Sequence, residues 1–349
     1  MRLGEFAQAR AALDAALKEH PREPALLSTL ANLSLASNNV TEAREILEGL
    51  LQQGIEHPAI RYNLAFALLH SRRPADAKIQ LDAIGNRMDD VPRARVLLAR
   101  TLHHLGELDE AAKQIDQFLE KNPNDADALG VAAVIYLDTE KNQRSKELAD
   151  RALALDPNNL GALVANGSLA LTEQDEATAS ANFDSAIKHN PTSGRAWSGK
   201  GLSTMLKLDL DTAIRELTQA VQYMPDHIGT WHALAWCQIM KNDLTGAETS
   251  FQKAMDLDHN FGETHGGLAA VYVMQDKPKE AEGAIKRALR LNPMGFAGRF
   301  AQSLLTLKND PAKAQEMVRA IMNSNITPGG ANLNDSLAKT LSRLQKRSR

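Results

Sequence analysis

The sequence predicts an all-α solenoid built from pairs of antiparallel helices. The segment 194–225, GRAWSGKGLSTMLKLDLDTAIRELTQAVQYMP, contains one such pair and recurs with substitutions along the chain. Small residues return at intervals of about 34 residues, and prolines close most of these intervals. Because one helix pair of this length cannot bury its apolar face alone, neighbouring pairs are expected to stack around a continuous core.

The second helix of each repeat carries a small residue at a fixed position. These residues are Ala9, Ala43, Ala77, Ala111, Ser145, Ala179, Ala213, Ala247 and Ala281. A larger apolar residue commonly follows one helical turn later, as Leu47 follows Ala43 and Phe183 follows Ala179. This spacing lies on one face of a helix. We therefore expect the small residues to pack in the seam between helices, where a larger side chain would overpack the structure.

Prolines and short polar turns mark the ends of the predicted helices. The prolines that close repeats are Pro21, Pro58, Pro123, Pro157, Pro191, Pro225 and Pro293. Proline cannot continue a helix, so each of them predicts a stop. Within a repeat, segments such as 105–107 and 241–243 are polar and short, which favours a tight reversal between two antiparallel helices.

Together these features resemble the tetratricopeptide repeat family. Glycine or alanine in the first helix, two alanines in the second helix and the closing proline recur together over nearly the whole chain. The resemblance implies a right-handed superhelical solenoid of about nine helix pairs, with an N-terminal half repeat and a C-terminal capping helix. The family has many unrelated binding functions, so the resemblance implies binding without identifying the partner.

The repeats are predicted to form a single array over residues 1–322. They are expected to start near positions 24, 58, 92, 126, 160, 194, 228, 262 and 296. The repeat that begins near Ala59 is irregular, because its end at 85–90 lacks the closing proline. A linker is predicted at 323–332. The leucines of 333–349 recur on one helical face, which predicts a C-terminal capping helix.

Charge and cysteine content exclude several classes of function. Lys and Arg number 40 and Asp and Glu 43, for a net charge of -3, so the composition gives no drive toward nucleic acid or membranes. The single cysteine, Cys237, excludes an intrachain disulfide, and its place within a helix predicts a buried structural thiol. No apolar run reaches the length of a membrane span. We expect a cytoplasmic protein, or a periplasmic one if an N-terminal leader has been removed.

The resemblance also selects candidate partner-binding residues, because in this family the first helix of each repeat lines the concave side of the superhelix. Position by position, this selects Tyr62, Phe66, Arg93, Val96, Arg100, His103, Val134, Leu137, Leu202, Met205, His232, Trp236, Met240 and Met274. Many of these are apolar, which is unusual for a surface and indicates a groove for an apolar or amphipathic segment of another protein. The alternative is that these residues pack against the next helix.

A second hypothesis concerns basic residues near the predicted groove. Some family members clamp a terminal carboxylate with asparagine and basic side chains of successive first helices, and Asn63, Arg93 and Arg100 match that arrangement in part. The lysines of the clamp are missing. A solvated face balanced by Asp89 and Asp90 is the alternative.

The predicted function is a non-catalytic adaptor or chaperone that binds a partner segment, in a bacterial secretion, pilus or polysaccharide system. No cofactor, metal or catalytic residue is predicted, because His103, His104, His227 and His232 lack the spacing of metal ligands and nucleotide-binding motifs are missing. Self-assembly into a homodimer through exposed terminal helices is the alternative. Binding of RNA by a helical repeat fits less well, since the groove lacks a repeated basic pattern.

Overall fold

The computed structural model describes residues 3–91, 93–307 and 309–322, which form nineteen α-helices and one 3-10 helix without any strand. The linker and capping helix predicted at 323–349 lie outside the described residues. Contacts divide the chain into two compact units, Met1–Ala165 and Asn166–Arg349, which we call the N-terminal unit and the C-terminal unit. The prediction of a single array therefore stays a prediction.

The N-terminal unit begins with a single helix, α1 (Leu3–Glu19), which four helix pairs and part of a tenth helix follow. The pairs are α2 (Pro24–Ala36) with α3 (Val40–Gln52), α4 (Pro58–His70) with α5 (Pro74–Asp82), α6 (Ala94–His104) with α7 (Leu108–Lys121), and α8 (Ala126–Asp138) with α9 (Asn142–Leu155). A 3-10 helix, Gly85–Asp90, precedes α6. The division between the units falls within α10 (Leu160–Thr172).

The C-terminal unit contains the remaining pairs. They are the end of α10 with α11 (Glu176–His189), α12 (Gly194–Leu206) with α13 (Leu210–Tyr223), α14 (Ile228–Lys241) with α15 (Leu244–Leu257), α16 (Gly262–Met274) with α17 (Pro278–Leu291), and α18 (Phe296–Leu307) with α19 (Pro311–Met322). The predicted all-α fold of nine helix pairs after one half repeat is thus confirmed.

Small residues fill the seam between helices as the register predicts. From Ala43 to Ala281, every member of the series in the second helices is fully buried. Ala9 of α1 differs and is only half-buried. Larger side chains fill the space around the seam in each unit, among them Leu47 and Ile115 in the N-terminal unit, and Phe183 and Phe251 in the C-terminal unit. Close packing of this kind makes the seam intolerant of added volume.

In the eight helix pairs from α2 with α3 to α16 with α17, the turn between the two helices shares one backbone feature. One residue in each of these turns has a positive φ, and these residues recur about 34 positions apart: Asn38, Arg72, Gly106, Glu140, Gln174, Leu208, Asn242 and Asp276. In the turn at Glu140, the N–H of Lys141 donates to the carbonyl of Tyr136 at 2.9 Å. This is the bond of a Schellman motif, which ends a helix with a left-handed residue.

Candidate functional site

The candidate residues of the N-terminal unit lie on the first helices α4, α6 and α8, except for Arg93, which directly precedes α6. We define the first-helix face as the side of these helices that carries Tyr62, Phe66, Arg100, His103 and Leu137. Tyr62 and Phe66 of α4 are half-buried and pack against the core of this unit. The Phe66 ring lies 4.1 Å from the His70 ring. Val134 and Leu137 of α8 are also half-buried, so each side chain keeps some exposed apolar surface.

Ion pairs join α6 to α8 across this face. Arg93 Nη1 donates to Asp125 Oδ2 at 2.5 Å, and Arg93 and Arg100 both pair with Asp127. His103 Nε2 lies 2.6 Å from Asp138 Oδ2. Pairing of this kind neutralises the arginines within the chain, and charge-assisted bonds of a guanidinium to a carboxylate hold both side chains in place.

The tyrosine on α4 is close to the same charges. Burial raises the pKa of Tyr62, and the positive charges of Arg93 and Arg100 act in the opposite direction. Asn63 donates through Nδ2 to Asn32 Oδ1 at 2.6 Å, so this asparagine bonds to the preceding first helix. The three residues of the clamp hypothesis thus already have partners within the chain. Whether a terminal carboxylate competes for them stays a prediction.

Two of the candidate residues are not surface residues, which corrects the expectation that they line a groove. Val96 of α6 is 2% exposed and Met240 of α14 is 7% exposed. For Val96 the reason is that α6 buries most of its length, including Ala94, Leu97 and Leu98 around it. Met240 belongs to the core of the C-terminal unit. Neither side chain offers a surface to a partner in this conformation.

Several of the remaining candidates of the C-terminal unit belong to an aromatic cluster or pack against the core that contains it. The ring of Trp236 on α14 contacts the rings of Phe251, Phe296 and Phe300 at 5.7–5.9 Å between centroids. Aromatic pairs at such distances stabilise a core beyond the effect of burial alone. Trp236, Met205 and Met274 are half-buried against this core.

His232 and Leu202 differ in their surroundings, since His232 lies among aromatic rings and Leu202 is exposed. The ring of His232 lies between those of Phe251 and Phe261, and its Nε2 is 2.8 Å from Thr264 Oγ1. Burial removes the imidazole from water and lowers the pKa of His232 to about 4, so the ring is neutral near pH 7. Leu202 of α12 is the most accessible apolar candidate, with 37% of its surface exposed.

The sequence did not point to the partners of the candidate residues. Asp125, Asp127 and Asp138 hold the cations of α6, and Phe296 and Phe300 cover Trp236. One signal could have found the first group. Arg93 and Asp127 are separated by 34 positions, so opposite charges at equivalent points of successive repeats predict an ion pair between neighbouring first helices.

No group of three or more His, Cys, Asp or Glu side chains in the described ranges is arranged to hold a metal ion. Cys237 of α14 is a free thiol that is fully buried, and burial raises its pKa to about 12. Among the described helices, none combines the length and the apolar composition needed to cross a membrane.

Comparisons with known proteins agree with this repeat architecture. Sequence profiles of the tetratricopeptide repeat match residues 1–54, 28–91 and 96–159. No curated protein sequence matches the chain. The compared solved structures include human IFIT1 as a dimer with m7Gppp-AAAA, at 16% identity and a TM-score of 0.56, covering 99% of this chain and 88% of that chain.

Two further structures have similar folds. The Cut9–Hcn1 assembly of APC/C has 14% identity and a TM-score of 0.55, covering 93% of this chain and 76% of that chain. Pseudomonas aeruginosa pilF has 16% identity and a TM-score of 0.50, covering 62% of this chain and 99% of that chain. At such identities the likeness is one of fold alone, and the fold hosts many functions.

Proposed function

The chain belongs to the tetratricopeptide repeat family, and on that premise we propose that it is a non-catalytic scaffold that binds a segment of another protein on the first-helix face. The observation that carries this proposal is the composition of the face in the N-terminal unit. Half-buried apolar side chains of α4 and α8, such as Phe66 and Leu137, flank the charged residues of α6. This mixture suits an amphipathic segment with apolar anchors and a polar side.

Ion pairs on the face favour a preformed site. Arg93, Arg100 and Asp127 are held by one another, as are His103 and Asp138. A partner that meets side chains already held in place loses less conformational entropy on binding than one that must order them. In the C-terminal unit Leu202, with Met205 beside the core, is a second and smaller candidate surface.

The test uses a single peptide that is first selected for binding to the full chain. A random peptide library displayed on phage is selected on the full chain, and the best binder is synthesised with a fluorophore for anisotropy titrations. We expect Arg100→Gln and Leu137→Ser each to weaken binding by about tenfold, the scale of an interface anchor. Ile79→Ser is the matched control, because Ile79 is an exposed apolar residue, 61% accessible, on the second helix α5.

Unchanged affinity in both face variants, or loss of binding in Ile79→Ser alone, would overturn the proposed site. Leu202→Ser is titrated in parallel, and a loss of binding confined to this variant would move the site to the C-terminal unit. We also propose a role in the assembly of a bacterial secretion, pilus or polysaccharide system. Identification of the natural partner tests this role.

RNA is a separate candidate, because the human IFIT1 structure contains the capped oligonucleotide m7Gppp-AAAA. The pairing of Arg93 and Arg100 with aspartates supports a protein partner instead, since an RNA would have to displace those carboxylates. Binding of RNA to the basic side chains of a protein weakens steeply as the salt concentration rises. Salt-dependent binding of single-stranded RNA that Arg100→Gln weakens would favour RNA over a protein segment.

Self-association through α1 is a further candidate that one observation favours. Each residue of α1 from Glu5 to Glu19 is at least partly exposed, whereas the second helix α3 buries Ala43, Leu47 and Leu50. A second copy could cover the apolar residues Phe6, Leu13 and Leu17 of this helix. Light scattering over a dilution series, with Leu13→Ser as the variant, tests it, and a monomer at all concentrations would exclude it.

A further inference from the structure

A cavity of about 340 Å³ lies within the N-terminal unit where the repeat pattern is irregular, and we call it the junction cavity. Its walls come from the 3-10 helix Gly85–Asp90, the beginning of α6 and the end of α7. The second helix before it, α5, has 9 residues, whereas α7 has 14. The 3-10 helix follows this short second helix and forms part of the cavity wall.

The backbone at the mouth of the cavity is unusual as well. Arg93, which precedes α6, has φ of 68°, outside the series of turn residues that share a positive φ. A left-handed conformation costs a non-glycine residue roughly 1–2 kcal/mol. Such strain persists only where surrounding contacts hold it, and here Asp125 and Asp127 hold the Arg93 side chain.

The lining of the cavity combines apolar and charged side chains. Met88, Val91 and Phe118 are apolar, and the first two of these are buried. Arg95 and Lys121 supply positive charge, and Asp89 lies between them. Pockets that bind small ligands have this character, with apolar walls and a few polar groups that fix orientation.

Hydrogen-bond capacity in the cavity favours an anion. Both oxygens of Asp89 already accept a bond, from Arg95 Nε at 2.8 Å and from Lys121 Nζ at 2.7 Å. Arg95 uses Nη1 for Gln114 and Gln117, and its Nη2 has no acceptor among the described residues. A lysine ammonium has three N–H donors, of which Lys121 uses one for Asp89.

The second carboxylate of the cavity is used in the same way. Asp125 accepts from Arg93 through Oδ2 and from the Ala128 N–H through Oδ1. The hydrogen-bonding capacity that remains in the cavity therefore belongs to N–H donors, to which an anion can bind as acceptor. Hydrogen bonds from Lys121 and Arg95 hold the pKa of Asp89 below its ordinary value, so this carboxylate is ionised at neutral pH and is the group that an incoming anion has to displace.

We propose that the junction cavity binds a small ligand in which a carboxylate or phosphate group is attached to an apolar body. The anion accepts from Arg95 and Lys121, and the apolar body lies against Met88 and Phe118. Asp89 competes with the ligand for the same two cations. Except for Arg93, the cavity uses none of the candidate residues for partner binding, so this proposal does not depend on the proposed function.

The test uses the full chain with ¹³C-labelled methionine methyl groups, because the Met88 side chain lines the cavity. Met88→Leu assigns its signal. Phenylacetate, phenyl phosphate and the neutral phenylacetamide are titrated separately. We expect one or both anions to shift the Met88 signal saturably and the amide to bind at least about tenfold more weakly, which corresponds to about 1.4 kcal/mol. Equal shifts with the amide, or none with any probe, would overturn the proposal.

Variants on α7 separate a built site from general attraction of anions. Lys121→Gln is expected to weaken anion binding by about threefold or more, within the range of an exposed ion pair. Lys113→Gln on the same helix is the matched control, since Lys121 and Lys113 have similar side-chain exposure, 66% and 60%. Equal losses in the two variants would show attraction by overall charge and overturn the site.

Asp89→Asn is expected to strengthen anion binding, in contrast to Lys121→Gln. Removing the competing carboxylate leaves the donors of Arg95 and Lys121 free for a ligand, so anion affinity is expected to rise severalfold. Weaker binding in this variant would contradict the competition that we infer. Circular dichroism checks that each variant keeps its helical content, so that a change in affinity is read on folded protein.

Discussion

The ring of Phe183 on α11 lies so close to Gly199 on α12 that a Cβ at position 199 would be 2.2 Å from Cζ of the ring. The same arrangement recurs in the C-terminal unit, where a Cβ on Gly267 would lie 2.3 Å from the Phe251 ring. Phenylalanine in the second helix thus requires glycine in the next first helix, because the ring occupies the space of a methyl group.

We predict that Gly199→Ala destabilises the protein by about 1–3 kcal/mol, the usual effect of overpacking a core. Phe183→Leu in the same chain should restore part of this loss, because the shorter side chain vacates the space. Urea unfolding of the single and double variants measures the coupling. Gly283→Ala is the control, since nothing lies within 4 Å of a Cβ there. Purely additive effects would contradict the direct contact.

Glu140→Gly is predicted to stabilise the protein by roughly 0.5–1 kcal/mol. Glu140 has φ of 60°, and glycine adopts this conformation without the steric cost that a side chain brings. The side chain is exposed, so little packing is lost. Gly106→Ala is the reciprocal change at the equivalent turn, where φ is 75° and a Cβ has free space. It should destabilise through backbone strain alone. Changes of the same sign in the two variants would contradict this account.

Most of the fold could be predicted from the sequence because the same spacing of small and apolar residues recurs in each repeat. The buried alanines of the second helices follow directly from the spacing of residues such as Ala43 and Ala247. The turn conformation is less visible, because residues as different as Arg72 and Leu208 occupy the left-handed position. The turn is imposed there by the flanking helices and not by the intrinsic preference of the residue.

The candidate site was less predictable, because it depends on contacts between repeats. Trp236 is covered by Phe296 and Phe300, which belong to a later repeat and have no counterpart in the basic pattern. Val96 is buried because α6 packs on several sides after the irregular 3-10 helix. Position within a repeat therefore selects a helix face, whereas exposure depends on which side chains the neighbouring repeats supply.

Stability is predicted to decrease between pH 6.5 and pH 4 through His232. Its pKa is lowered to about 4 in the folded chain, so in this range the unfolded chain binds more protons and folding becomes less favourable as the pH falls. The full effect is on the order of 3 kcal/mol and is reached below pH 4. His232→Gln, which cannot ionise, should flatten this part of the stability profile in urea titrations.

The control for this prediction is His189→Gln, because His189 is exposed and its ring bonds to the carbonyl of Ser185 on its own helix. Its pH profile should match that of the wild-type chain. An equal slope in His232→Gln and the wild type would show that the buried imidazole does not titrate as the structure indicates.

Cys237 is predicted to be unreactive in the folded protein. The thiol is fully buried, and a pKa of about 12 leaves almost no thiolate at neutral pH, which is the form that reacts. Ellman's reagent should therefore modify one thiol per chain in denaturant and almost none under native conditions. Native labelling then reports the opening of α14, because the reagent reaches the sulfur only when the surrounding core separates.

The double variant Cys237→Ala/Thr249→Cys is the control for the reagent, because Thr249 is exposed on α15 of the same unit. It should be labelled rapidly under native conditions. Urea well below the unfolding midpoint should accelerate labelling of Cys237 but leave the rate at position 249 nearly unchanged. Rapid native labelling of Cys237 would mean that the core around Trp236 opens readily, and the aromatic cluster would then be accessible to a partner after all.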